Sequence, residues 1–129
     1  GTRLKNLFLK DNYGRRHFLL LTVPEKRVDL KAMSKQLAVS RLGFASEQRL
    51  FKYLQVKPGC VSLLALINDT QNQVELLMDD DIANSMNFQC HPLINTQTLV
   101  LSKSGVKKVL QQTGHRWQNV DVPTLDMVE

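Results

Sequence analysis

The sequence lacks the features that mark several large classes of protein. Its longest apolar stretches, residues 18–21 and 63–67, are far shorter than the ~20 residues that a membrane span needs. Its two cysteines, Cys60 and Cys90, allow at most one bridge and exclude a disulfide framework. No basic segment followed by an apolar one opens the chain, so no secretory signal is visible. We therefore expect a cytoplasmic protein that does not enter a membrane.

Signatures of metal and covalent catalysis are also missing. The histidines His17, His91 and His115 are far apart and no CxxC pair exists, which argues against zinc. The glycines are isolated and no G-x-S-x-G motif occurs, so neither a phosphate loop nor a serine nucleophile is indicated. The acidic residues 79–81 lack calcium-loop spacing and are interpreted as a helix start. We expect no metal and no cofactor; a Cys60–His91 dyad stays conceivable, although a buried cysteine is the commoner case.

Charge is distributed unevenly along the 129 residues, a length typical of one domain. Residues 1–60 carry 13 basic and 4 acidic side chains, whereas residues 61–129 carry 4 basic and 8 acidic ones. A basic half suits a polyanionic partner, because lysine and arginine displace counterions from phosphates. Folding can also mix the two halves, so the count alone leaves an ordinary solvated surface open.

Hydrophobic periodicity predicts interleaved strands and helices. Residues 3–23 are typical of a β-hairpin turning at residues 11–14. Asp29, Ser46 and Ser102 are expected to cap three helices, the last ending at Gly114. Further extended segments or strands are expected at 41–45, 73–78, 96–101 and 117–122, a short helix or loop at 79–86, and an apolar run of ambiguous type at 61–67. This pattern favours an α+β domain with a mixed sheet.

The first strand carries Lys5 and Asn6 side by side. Neighbouring side chains of a strand point to opposite faces, so one of the two should face the core or a cleft. The alternative is an edge-strand lysine that discourages aggregation.

Two other segments combine flexible or polar residues. Residues 58–62 contain Gly59, which allows a close approach to the backbone, where N–H groups could hold an anion or a carbonyl. As a plain turn the segment needs no function. Three polar residues are expected at the entrance of a strand: His91, Asn95 and Thr96. Asn68 and Asp69 are expected in a turn that could supply polar groups to the same place.

Six short segments, in this order, resemble the YbaK/prolyl-tRNA editing family, and especially its freestanding PrdX-type members. The segments are 5–11, 28–31, 42–46, 58–62, 66–70 and 91–96, and the resemblance extends over about residues 1–121. It implies one editing domain over residues 1–129, with a mixed, partly closed barrel flanked by helices. It also implies that the protein is an aminoacyl-tRNA deacylase, a hydrolase that acts in trans on alanyl-tRNA(Pro) and so maintains the fidelity of translation.

The resemblance assigns site residues as well. The family's lysine falls on Lys5, its polar neighbour on Asn6, its glycine loop on Gly59 to Ser62 and its histidine on His91. Lys5 would hold a phosphate or the terminal ribose, loop N–H groups would stabilise the oxyanion, and Asn6 and His91 would orient the water or the amino acid. The expected substrate-binding residues are Cys60, Val61, Ser62, Leu63, Asn68, Asp69, Asn95 and Thr96.

The activity fits a limit on molecular recognition. A synthetase pocket that admits proline cannot exclude the smaller alanine, because a missing methylene or two is worth only ~1–3 kcal/mol. A second, smaller pocket is needed, and apolar residues of the 61–66 run are reasonable walls. Whether it takes alanine, serine or cysteine stays open. The expected partners are the aminoacylated 3′ end of tRNA and prolyl-tRNA synthetase.

Two departures from the family pattern support a different interpretation. Leu63 stands where members commonly have proline, and the chain opens almost at Lys5, whereas members usually begin some tens of residues earlier. Both favour a catalytically weak or inactive tRNA-binding or synthetase-associated module. A third alternative is a small-molecule or protein-interaction domain whose basic half is incidental.

Overall fold

The computed structural model of the chain describes residues 1–90 and 99–125. Within these residues strands and helices interleave, as the sequence predicts for an α+β fold. In chain order the elements are β1 (Lys5–Asp11), β2 (His17–Thr22), α1 (Leu30–Gln36), β3 (Leu42–Phe44), α2 (Glu47–Leu54), two 3₁₀-helices (Pro58–Cys60 and Leu63–Asn68), β4 (Val74–Asp79), α3 (Asp80–Ala83), β5 (Asn87–Cys90), β6 (Leu99–Ser102), α4 (Lys103–Thr113) and β7 (Trp117–Val120).

The predicted hairpin is confirmed in strands β1 and β2. Its turn is stabilised by Asp11, whose Oδ1 accepts hydrogen bonds from the backbone N–H groups of Arg15 at 2.8 Å and Arg16 at 3.1 Å. Gly14 has a φ of 68°, a conformation that glycine adopts without steric cost. Short-range chemistry therefore sets the register of the two strands.

Five strands form one mixed sheet in the order β3-β1-β2-β4-β7. Strand β1 runs antiparallel to β2 and β3, while β4 runs parallel to β2 and β7. Strands β5 and β6 form a separate antiparallel pair. The mixed sheet flanked by helices is confirmed. The sheet is open, with β3 and β7 at its edges, so the described residues do not close it into a barrel.

Hydrophobic residues pack on both faces of this sheet. One face packs against α1; its core consists of Leu9, Phe18, Leu20, Met33, Leu37, Leu42, Leu77, Val120 and Val122. The other face packs against α2, α4, β5 and the second 3₁₀-helix, around Phe8, Leu19, Leu21, Leu54, Leu66, Met78, Phe88, Val106 and Leu110. Every residue of β2 is buried, which accounts for its continuous apolar run.

The predicted helix caps are confirmed. Asp29, Ser46 and Ser102 each accept a hydrogen bond from the backbone N–H three residues later, at 3.0, 3.2 and 3.0 Å respectively. Gly114, with a φ of 81°, follows α4 as its left-handed cap. These boundaries depend on residues adjacent in sequence.

One strand is present that the sequence did not predict, and one segment of ambiguous type has a definite conformation. Strand β5 was not predicted, and it exists through its pairing with β6. The ambiguous run at 61–67 forms a 3₁₀-helix over Leu63–Asn68, with Leu63, Ala65 and Leu66 buried. No helix in the described parts of the chain is long and apolar enough to span a bilayer.

Candidate active site

Lys5 and Asn6 open strand β1 and lie on opposite faces of the sheet, as neighbouring strand residues do. Lys5 is in phase with Leu7 and Leu9, on the face that packs against α1. Asn6 is in phase with Phe8, on the face that carries α2 and α4. The structure therefore places on different faces the two residues that the sequence predicted for one site.

Lys5 is held by a polar cluster at the end of the sheet. Its Nζ donates a hydrogen bond to the backbone carbonyl of Lys26 at 2.8 Å. The Lys26 ammonium in turn contacts Asp79 Oδ2 at 2.8 Å and Asp81 Oδ2 at 2.9 Å. Thr22, directly opposite Lys5 in the hairpin, donates its hydroxyl to Asp79 at 2.6 Å.

Electrostatics keep Asp79 and Lys26 ionised. Burial favours the neutral form of Asp79, but hydrogen bonds from Lys26 and Thr22 outweigh it and hold the pKa of the carboxyl below its usual value. Burial likewise opposes the charge of Lys26, and its hydrogen bonds to Asp79 and Asp81 raise its pKa nonetheless. The ion pair holds the Lys26 backbone where Lys5 contacts it. This cluster is not visible in the sequence, because its members lie far apart in the chain.

One hydrogen-bonding atom of Asn6 has no partner among the described residues. Its side-chain carbonyl oxygen, Oδ1, is buried and has no hydrogen-bond partner in the part of the chain that the structure describes. Leaving a buried acceptor unpaired costs about 1–3 kcal/mol, so such an atom in a folded protein calls for an explanation. This acceptor is therefore a candidate contact for a hydrogen-bond donor of a ligand.

The glycine turn forms the first 3₁₀-helix, in which the N–H of Cys60 donates to the carbonyl of Lys57 at 2.9 Å. No atom of the described residues outside the turn itself lies within 4 Å of where a Cβ on Gly59 would be, and its φ is not in the left-handed region. Packing of the described residues therefore does not require a glycine here. Cys60 and Val61 are partly buried against the core on the face of Asn6. The structure thus brings this turn and Asn6 to the same side of the sheet.

The next predicted site residues are engaged in the fold. Ser62 is buried, and its hydroxyl accepts from the N–H of Leu64 at 3.1 Å at the start of the second 3₁₀-helix. Leu63 is fully buried in the core. Asn68 donates its side-chain amide to the carbonyl of Leu54 at 2.8 Å. These contacts position the segment that follows the glycine turn.

Asp69 is the buried anchor of the turn before β4. Its carboxylate accepts from the backbone N–H groups of Gln73 at 3.0 Å and Val74 at 2.7 Å. Its Oδ2 also lies 2.7 Å from Nε2 of the buried His115. Three partners within the chain account for this carboxylate without a ligand.

Three predicted site residues, His91, Asn95 and Thr96, lie outside the described residues. Their neighbour Cys90 is buried, and burial raises the pKa of its thiol to about 11. A thiol with that pKa is protonated at neutral pH and is a poor nucleophile. Cys90 therefore belongs to the core.

His17 forms a second buried polar group that the sequence analysis did not assign. Its ring lies 4.0 Å from that of Tyr53, centroid to centroid, and its Nε2 is 3.1 Å from the guanidinium of Arg49. Burial and the positive charge of Arg49 lower the pKa of His17 to about 4. The ring is therefore neutral at pH 7 and can accept a hydrogen bond from Arg49.

The described residues contain no group of three or more histidine, cysteine or carboxylate side chains placed to hold a metal ion. The acidic residues 79–81 start α3, as expected, with Asp79 as its N-cap.

Comparison with known proteins shows the family. A family model described as the aminoacyl-tRNA editing domain matches residues 1–109. The chain is 34% identical over 119 residues to the prolyl-tRNA editing protein ProX of Acetoanaerobium sticklandii, covering 92% of this chain and 73% of that protein. It is 33% identical over 117 residues to prolyl-tRNA synthetase associated domain-containing protein 1 of Danio rerio. That match covers 89% of this chain and 63% of the relative, so the chain spans less than two thirds of its length.

A solved structure assigned as a trans-editing enzyme for prolyl-tRNA synthetase has the same fold. It superposes with a TM-score of 0.68 at 18% identity, covering 93% of this chain and 69% of the other. The chain therefore belongs to the aminoacyl-tRNA editing domain family, a family of aminoacyl-tRNA deacylases.

Proposed function

We propose that this chain acts in trans on mischarged tRNA of the prolyl system and that alanyl-tRNA(Pro) is its substrate. Support comes from the family match and from a relative named as a prolyl-tRNA editing protein. The chemical need is independent of both, because a pocket that accepts proline discriminates poorly against a smaller amino acid. Prolyl-tRNA synthetase is then the enzyme whose errors are corrected.

The observation that carries the proposal is the buried Oδ1 of Asn6, which has no hydrogen-bond partner among residues 1–90 and 99–125. An amide oxygen accepts hydrogen bonds and donates none. The aminoacyl ester supplies a matching donor, its α-ammonium group, and the attacking water supplies another. A hydrogen bond to a charged donor is worth more than a neutral one, so the ammonium is the better partner. Asn6 would hold the amino acid by the group that all aminoacyl esters share.

The glycine turn is proposed to bind the reacting carbonyl. Water attacks the carbonyl carbon and loses a proton, the bond from that carbon to the ribose oxygen breaks, and the ribose oxygen takes up that proton as the free amino acid leaves. Negative charge develops on the carbonyl oxygen, where backbone N–H groups of the Gly59–Ser62 loop would stabilise it. Cys60 and Val61, partly buried on the same face as Asn6, would form the wall that admits a methyl side chain.

Lys5, and three residues that lie outside the described part of the chain, are proposed to contact the substrate as well. Lys5 would exchange its hydrogen bond to the Lys26 carbonyl for a phosphate or ribose oxygen of the tRNA end, a contact suited to a compact ammonium on a long stem. His91, Asn95 and Thr96 are proposed to contact the amino acid or the water. Asn68 and Asp69 would support the site by holding the turn that precedes β4.

The test is deacylation of a panel of charged tRNAs by the purified chain. We expect release of the amino acid from alanyl-tRNA(Pro) and little release from prolyl-tRNA(Pro), because the pocket excludes the larger ring. Seryl- and cysteinyl-tRNA measure how strictly the pocket selects by size. Hydrolysis of none of these esters by a chain that binds tRNA would favour the alternative, an inactive module of the same fold.

A further inference from the structure

A cleft of about 620 Å³ lies between α4, α3 and the edge strand β7. One wall is a stripe of α4 residues spaced four apart, Lys103, Lys107 and Gln111, and the facing wall is formed by Arg116 and Trp117 of the β7 segment. This volume is within the range of ligand sites in proteins, about 300–1,000 Å³. The cleft lies on the α4 side of the sheet, the side that also carries Asn6.

The cleft concentrates positive charge in the acidic half of the chain. Residues 61–129 contain only 4 basic side chains, and three of them, Lys103, Lys107 and Arg116, line it. No aspartate or glutamate of the described residues lines it. Such clustering against the local composition indicates an anionic ligand.

Trp117 presents an aromatic surface in this cleft. Its indole Nε1 donates a hydrogen bond to Asn119, and its ring meets Phe88 edge to face at a centroid distance of 6.0 Å. The ammonium of Lys103 lies over the ring, 5.9 Å from its centroid. The ring is therefore held in place, with a face turned toward the positive charge of the cleft.

The surface continues along the sheet edge. A second groove of about 550 Å³ shares Arg116 and Trp117 with the first and extends past Gln118 to Asn72 and Glu75. A linear ligand could therefore follow β7 through both grooves, with Trp117 between them.

We propose that this cleft binds a single-stranded segment of the substrate tRNA, with phosphates on Lys103, Lys107 and Arg116 and one unpaired base stacked on Trp117. The inference rests on the proposed function, because it takes tRNA as the polyanion. Cations that follow a backbone beside an aromatic platform are the common means of binding single-stranded nucleic acid. On binding, the Lys103 ammonium moves from the ring to a phosphate and the base takes its place.

The chain itself supplies the reporter for the test, since Trp117 is its only tryptophan. Uncharged tRNA(Pro) is titrated into the protein while tryptophan emission and the anisotropy of end-labelled tRNA are followed together. We expect emission to be quenched with the same Kd that anisotropy gives. A complex seen by anisotropy with unchanged tryptophan emission would overturn the proposal, and so would the absence of any complex.

Charge variants locate the phosphates. Lys103→Gln with Lys107→Gln removes two cations spaced four apart on α4; Lys31→Gln with Lys35→Gln removes an equally spaced, exposed pair on α1, across the sheet. The α4 pair should weaken tRNA binding and reduce the slope of log Kd against log salt by about 1.4. The α1 pair should leave both almost unchanged. Equal weakening by the two pairs would contradict a specific cleft.

Replacement of the ring separates stacking from charge. Trp117→Phe keeps an aromatic face and should bind tRNA nearly as well, whereas Trp117→Ala should weaken binding about 5- to 150-fold. Circular dichroism of both variants confirms that they are folded; equal affinities of the two folded variants would refute stacking. Deacylation without quenching contradicts only the cleft, and quenching without deacylation contradicts only the proposed activity.

Discussion

Replacing Asn6 by alanine should separate activity from stability. The substitution removes a buried carbonyl oxygen that has no partner in the described residues. Removing one partner of a satisfied hydrogen bond normally destabilises a protein, but removing an unpaired buried acceptor relieves a cost of about 1–3 kcal/mol. Lost packing by the shortened side chain offsets part of this gain. We therefore expect a free energy of unfolding within about 1 kcal/mol of the wild-type value, or above it.

Activity should change in the opposite sense. If Oδ1 accepts a hydrogen bond from the α-ammonium of the ester, its loss removes a charge-assisted contact worth about 1.5–3 kcal/mol. That range corresponds to a decrease of about 10- to 150-fold in kcat/KM for alanyl-tRNA(Pro). The assay is single-turnover deacylation, with urea unfolding of the same preparation.

Asn12 provides the matched control, since it is an exposed asparagine in the turn at the far end of the same hairpin. Asn12→Ala should leave both deacylation and unfolding unchanged. Unchanged deacylation by Asn6→Ala would refute the proposed contact. A loss of activity that only mirrors a loss of stability would show that Asn6 serves the fold.

Three other substitutions test neighbouring groups. Lys5→Ala should abolish most deacylation and lower the free energy of unfolding by no more than about 1.5 kcal/mol, because it removes one hydrogen bond to a backbone carbonyl. The control is Lys10→Ala, which also loses a contact to a backbone carbonyl and lies on the same strand; it should keep full activity. Equal effects of the two substitutions on deacylation would remove Lys5 from the mechanism. The pKa of His17 is lowered to about 4 in the folded state, so the unfolded chain binds more protons than the folded one between about pH 4 and 6.5. The free energy of unfolding should therefore rise with pH across that window, by up to about 3 kcal/mol, and then level off. His17→Gln should flatten this rise in urea titrations, and an unaltered pH profile would contradict the assignment. Asp69→Ala should destabilise the fold by about 3 kcal/mol or more, since it leaves buried N–H groups such as that of Val74 unpaired. The fraction of this variant that stays folded should deacylate normally. A loss of activity without a loss of stability would instead indicate that Asp69 contacts the substrate.

Elements set by neighbouring residues were predictable from the sequence. The hairpin follows from a turn in which Asp11 bonds the next backbone N–H groups and Gly14 takes positive φ. The caps at Asp29, Ser46 and Ser102 each involve an amide three residues away. Interactions over three to five residues form whenever the local sequence permits them, so a reader of the chain can find them.

Elements that depend on distant partners were not predictable in the same way. Strand β5 alternates polar and apolar residues, but at four residues it is too short for that alternation to identify it; pairing with β6 defines it. The run at 61–67 could be strand or helix by periodicity, and packing against the core on the α2 side decided for a 3₁₀-helix. A short apolar run is compatible with either conformation until its neighbours are known.

The order of residues by itself determined the α+β class, the hairpin, the capped helices and, through six short segments, the resemblance to the editing family. Only the tertiary structure decided which helices cover the faces of Lys5 and Asn6, and that Asn6 keeps a buried oxygen without a partner among the described residues. It likewise decided that Asp69 is bonded to backbone N–H groups and to His115. It also decided that three cations from the acidic half meet around Trp117. The reason is physical. Hydrogen bonds between residues a few positions apart depend only on the local sequence, whereas burial and the proximity of distant charges depend on which elements cover each face of the sheet.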